Sequence, residues 1–114
     1  MASGKSKTGS AKLGSKQLEA MIEEATVDCH DESEQAGGLL VMIEDNLRLP
    51  FTTRVLGVEI AVVAVEQDDA DDIVAVCERA GERQRMSLSE LPLPSPAPEG
   101  AEWIAANRHW ARHR

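Results

Sequence analysis

A change of hydrophobic period at Pro50 constrains the fold of this chain more than any other feature. Before it, Leu18, Met21, Ile22 and Ala25 recur at i, i+3, i+4 and i+7, the stripe of an amphipathic helix over residues 16–26. Leu39, Leu40, Ile43 and Leu47 keep the same spacing, with Met42 beside them, and predict a second helix from about Glu32 to Asn46. Asp31 followed three places later by Glu34 supplies its start signal. The Gly37-Gly38 pair inside it costs about 1 kcal/mol per glycine relative to alanine, which implies close packing or a break. Pro50 ends the helical pattern and drives Leu49 to an extended backbone.

Beyond Pro50 the pattern is β. Val55-Leu56 turns at Gly57 into Val58, Ile60, Val62 and Ala64, which alternate with Glu59, Ala61, Val63 and Val65. An acidic loop, Glu66 to Asp72, leads to the apolar run Ile73 to Cys77, and a tight Arg79-Ala80-Gly81-Glu82 connection leads to Gln84, Met86 and Leu88. Four short strands in hairpin order form a meander. Pro92, Pro94, Pro96 and Pro98 then set an extended strap, and Trp103, Ala106, Asn107 and Trp110 share one side of a last helix, Glu102 to His113. The expected class is α+β: a small antiparallel sheet curled into an SH3-like barrel, flanked by two N-terminal helices and one C-terminal helix. Both tryptophans are expected to dock on the sheet.

At 114 residues the chain holds one domain, which buries about two thirds of the surface its unfolded form exposes. Residues 1–15 are mostly Gly, Ser, Ala and Lys, with Leu13 the one large apolar side chain after Met1, and read as a flexible basic tail; residues 16–114 form the domain. The net charge is −8, from 12 basic and 20 acidic residues. All 20 acids lie between Gln17 and Asn107 against five arginines, which leaves that body at −15. Such self-repulsion is either tolerated or offset by bound cations. With this sign, one Phe, two Trp and no Tyr, the chain offers neither a phosphate-binding surface nor a stacking platform, so nucleic acid is not an expected partner. No apolar run reaches the roughly 18 to 20 residues of a membrane span, and no secretory signal stands out, so a soluble, cytoplasmic protein is expected.

The remaining reactive residues form no catalytic pattern. Cys29 and Cys77 are 48 apart with no CxxC, and Cys77 sits in an apolar run as a small hydrophobe. Cys29 and His30 are adjacent, with no third group to orient them. His109 and His113 share a helical face at i, i+4, a metal-capable spacing that lacks a third donor, and are expected to be solvated. Without a phosphate loop or a metal-hydrolase motif, an enzyme is not expected.

The chemistry concentrates in carboxylates. Glu66, Asp68, Asp69, Asp71 and Asp72 place five acids in seven residues on one β loop. Like charges this close oppose one another's ionisation, and a divalent cation relieves them. Ca²⁺ accepts six to eight oxygens in flexible geometry, which Asp and Glu loops supply. Asp28, Asp31, Glu32 and Glu34 open the second helix, and Glu44 with Asp45 closes it. There is no EF-hand: the D-x-[DN]-x-[DN]-G pattern with a Glu at the twelfth position does not occur. Spacing alone leaves a solvated acidic surface open beside a cation site.

Met21-Ile22-Glu23-Glu24-Ala25-Thr26-Val27-Asp28, Glu32-Ser33-Glu34-Gln35, Met42-Ile43-Glu44-Asp45-Asn46-Leu47, Leu49-Pro50-Phe51 and Val55-Leu56-Gly57 together resemble the small bacterial calcium-binding proteins of the CcbP type. Asp69-Ala70-Asp71-Asp72-Ile73-Val74-Ala75, Arg83-Gln84-Arg85, Leu91-Pro92-Leu93-Pro94 and Pro98-Glu99-Gly100-Ala101-Glu102-Trp103-Ile104 continue the resemblance in the same order, to about Trp110. It implies a cytoplasmic, non-EF-hand protein that buffers or senses Ca²⁺. Carboxylates inside the matching segments are Asp28, Glu32, Glu34, Glu44, Asp45, Asp69, Asp71 and Asp72, and Asp68 joins the loop by spacing. The candidate metal ligands are therefore Asp68, Asp69, Asp71, Asp72, Glu32, Glu34, Glu44 and Asp45. The alternative is a protein-interaction module that docks a protein partner through the barrel or the proline strap, its acids steering encounter without a metal role.

Overall fold

The structure is a computed structural model that describes residues 13–113. The expected basic tail lies outside them up to residue 12. Helix α1 spans Ser15–Ala25. Leu18 is buried, Met21, Ile22 and Ala25 pack half-buried beside it, and Leu13 joins the same core. Helix α2 spans Glu32–Asn46 and buries Ala36, Leu39 and Ile43, with Leu47 just beyond its end. Asp31 Oδ1 accepts the Glu34 N–H at 2.9 Å, as its position predicts. Glu34 does not return the bond to Asp31 but accepts from the His30 N–H at 2.6 Å, one residue further out.

Strands β1 (Phe51–Val55), β2 (Val58–Gln67), β3 (Ile73–Arg79) and β4 (Glu82–Ser87) form one antiparallel sheet in the order β1-β2-β3-β4. The two-residue turns Leu56-Gly57 and Ala80-Gly81 carry positive φ at both positions, as the twist of a tight hairpin requires. The register of β2 on β3 slips between Val62 and Ala64, a bulge that inserts one residue. Strict alternation across β2 therefore fails, and Val62 and Val65, three apart, both enter the core. On β3, Ile73, Ala75 and Cys77 face that core. Val74 and Val76 lie on the other side, beside Glu66 of β2 and Arg85 of β4, which pair at 2.8 Å.

The barrel expectation is corrected: β1 and β4 are both edges, and the sheet stays open. Its inner face is covered by helices instead of by its own curvature. A 3-10 turn at Leu88–Glu90 and the strap bring in buried Leu88 and Leu91, and Thr53 Oγ1 of β1 donates to the Pro92 carbonyl at 2.7 Å. Helix α3, Glu102–His113, packs on α1, α2 and the 3-10 turn. Both tryptophans enter the same core as the sheet residues Val62 and Ile73, and the Trp110 indole donates to Gln35 Oε1 of α2 at 3.1 Å. Arg108 donates to the Leu91 carbonyl, and burial pushes its guanidinium pKa down.

The expectation of solvated histidines holds for His113 and is corrected for His109. His109 is buried, with Nε2 3.4 Å from Glu19 Oε2 on α1, whereas His113 is exposed and its Nδ1 lies 2.8 Å from the His109 carbonyl. Cys29 and Cys77 are both free thiols. Cys77 is buried, and desolvation raises its pKa, so little of the reactive thiolate forms. Iodoacetamide on the native protein is expected to modify half-buried Cys29 first and Cys77 only on unfolding. Mass spectrometry of the labelled peptides checks this, and equal rates would contradict it.

Candidate metal centre

The densest acids lie on the connection between β2 and β3. The loop is built by its own first aspartate: Asp68 Oδ1 accepts the N–H groups of Ala70 and Asp72 at 2.9 and 3.0 Å. The backbone closes beneath it, with Asp68 N–H donating to the Asp72 carbonyl at 2.9 Å and Asp71 N–H to the Asp68 carbonyl at 3.0 Å. Asp71 adopts a left-handed backbone (φ 63), a conformation that Asp tolerates better than most residues. Asp68 and Asp69 are exposed, while Asp71 and Asp72 are half-buried against the rest of the domain.

Gln67, the last residue of β2, joins this loop to α2. Its side-chain nitrogen donates to Asp71 Oδ1 and to the Ser33 carbonyl, both at 3.1 Å. The first turn of α2, with Glu32 and Glu34, is thereby held beside the loop, so two acidic groups that are distant in the chain share one end of the molecule. Here the acids also complement the positive end of the helix dipole. Glu44 and Asp45 are on the last turn of α2, about 15 Å along the helix axis from Glu34 at 1.5 Å per residue, and do not join that group. Nothing in the sequence marked Gln67: its two acceptors are set by a contact across 34 residues.

The candidate ligands at this end, Asp68, Asp69, Asp71, Asp72, Glu32 and Glu34, offer only oxygens, which fits a hard divalent cation such as Ca²⁺ better than a soft metal. Among the described residues, no three His, Cys, Asp or Glu side chains converge on a single point.

No protein-family model and no curated protein sequence matches the chain. Two solved structures do. The crystal structure of Anabaena CcbP superposes with a TM-score of 0.65 and 20% identity, over 87% of this chain and 92% of that one. The chain has the CcbP fold. A calcium-binding protein in its calcium-binding form matches with a TM-score of 0.62 and 21% identity, over 88% of this chain and 94% of that one. The matches extend over nearly the full length of both solved chains. No helix among the described residues is long and apolar enough to cross a membrane.

Proposed function

We propose that this protein binds Ca²⁺ at the end of the sheet where the β2–β3 loop meets the first turn of α2, and so buffers or senses the ion in the cytoplasm. The carrying observation is the near-complete superposition on a calcium-binding protein in its calcium-binding form. The all-oxygen donor set supports it. In this reading Asp69, Asp71 and Asp72, with the second oxygen of Asp68, are the principal ligands, Glu32 and Glu34 complete the shell from α2, and Glu44 with Asp45 stands apart. A bound cation would offset the like charges of Asp68, Asp69, Asp71 and Asp72.

Calorimetric titration of chelator-stripped protein with CaCl₂, repeated in millimolar Mg²⁺, tests this. At a free Ca²⁺ concentration one hundred times Kd, the ion is expected to stabilise the fold by about 2.7 kcal/mol. For a domain of this size that raises Tm by roughly 10 °C or more. Saturable heat that survives Mg²⁺ supports the reading; no heat and no shift in Tm removes it.

One observation favours a second reading, a protein-interaction module without a metal. At the opposite end of the sheet, Val55, Val58, Ile60 and Met86 line a hollow of about 300 Å³, and Leu56 at the hairpin tip is 98% exposed. That reading predicts partner capture that is lost in Leu56→Ser and is indifferent to Ca²⁺.

A further inference from the structure

The inner face of the sheet is roofed at one end only. Val62 is buried, Ile60 is half-buried, and Val58, next on the same face, is 39% exposed. Val55 pairs with Val58 across the first hairpin, and Cys77, Gln84 and Met86 continue this face on β3 and β4. Together these side chains line the hollow of about 300 Å³. Beside it, at the hairpin tip, stands Leu56, 98% exposed and with φ 52. A bulky apolar residue in the left-handed region is uncommon, and Asn before Gly57 would relieve the strain. The second hairpin makes the same turn with a small residue, Ala80 at φ 53. The first hairpin therefore holds out a leucine that its own fold does not bury, a knob next to a hole.

We propose that this surface pairs with a second copy of the chain, Leu56 of each copy entering the hollow of the other. A two-fold contact needs a patch that is complementary to itself, and a knob beside a hole supplies one. Charge selects the same partner. Each copy carries a net −8, so two copies repel over most of their surface. The charged residues that line the hollow are Glu78, Arg79, Glu82 and Arg85, two of each sign. An equally anionic copy meets the least repulsion at such a balanced patch, whereas a basic partner finds no net charge there to steer it. Reciprocal insertion fills both hollows, so the assembly closes at two. The inference rests on the docking reading above, whose partner it names, and stands apart from the calcium reading.

Sedimentation equilibrium of the full chain in chelator, from micromolar to millimolar concentration, tests this. The parent is expected to move from 12.4 kDa toward twice that mass and no further. Leu56→Asn removes the knob and suits the left-handed position before Gly57. It is expected to weaken association about a hundredfold or more, because two leucines per dimer lose their burial. Gln84→Trp replaces an exposed strand residue and plugs the hollow, with an expected loss of similar size. An equimolar mixture of the two variants is expected to associate again, more weakly than the parent, because the intact Leu56 of one meets the open hollow of the other. If circular dichroism shows that Gln84→Trp does not fold, Gln84→Phe takes its place. A parent that stays at 12.4 kDa at millimolar concentration, a dimer that survives Leu56→Asn, or a mixture that stays monomeric overturns the proposal. A monomer that captures a different protein through Leu56 also overturns it, and leaves the docking reading standing.

Discussion

Gly100→Ala is expected to destabilise the fold by about 3 kcal/mol or more, enough to lower Tm by roughly 15 °C. Gly100 is buried at the entry to α3 with φ 88, a conformation that costs an L side chain on the order of 1 to 2 kcal/mol. A methyl group there would collide with the Asn46 carbonyl oxygen and lie 2.7 Å from the Leu47 Cα. Neither neighbour can retreat cheaply, since Arg48 N–H donates to the Glu99 carbonyl at 2.8 Å and Leu47 is itself in the core. Relief must move either the end of α2 or the start of α3, which carries buried Trp103 and Ile104. Thermal melts followed by circular dichroism measure the loss. A Tm near that of the parent would mean the strap and α3 shift together without cost.

The adjacent glycines of α2 are expected to respond in opposite directions. At Gly38 a methyl group would collide with the Ala25 carbonyl oxygen at the end of α1 and sit 3.2 Å from its carbon. Gly38→Ala is expected to destabilise by about 1 to 3 kcal/mol as α1 is forced away from α2. At Gly37 the nearest atom is Gln67 Oε1 at 3.5 Å, an ordinary contact. Gly37→Ala therefore gains helix propensity without a clash and is expected to stabilise by up to about 1 kcal/mol. Urea unfolding of the two single variants separates the cases, and the same sign for both would contradict the packing described here.

The adjacent glycines also show where sequence reasoning stops. Their presence in a helical pattern announced close packing or a break, but only the approach of Ala25 decides for packing, and only at Gly38. Helices and strands were legible because Leu18, Met21, Ile22 and Ala25 obey one period and Val58, Ile60 and Val62 another. The Leu56-Gly57 and Ala80-Gly81 turns sit where the strand pattern pauses. What depends on long-range contact was not legible. The bulge after Val62 answers to β3, the burial of His109 to its packing against α1, and the open sheet to helices that cover its inner face. Of the candidate site, the acids were visible as composition. Their meeting between Asp71 and Ser33 was not, because it passes through Gln67, a neutral residue at the end of an apolar strand.

An open sheet leaves β4 with unpaired backbone groups along one side, a template onto which a foreign strand could add. Along it Glu82, Arg83, Gln84 and Arg85 are all exposed, and Arg83 is tied to Glu78 at 2.6 Å. A strand arriving there would have to strip water from Glu82, Arg83 and Arg85 before gaining a single ladder bond. The meander can therefore remain unclosed without recruiting other chains into fibres, and neutralising Arg83 and Arg85 would remove that guard.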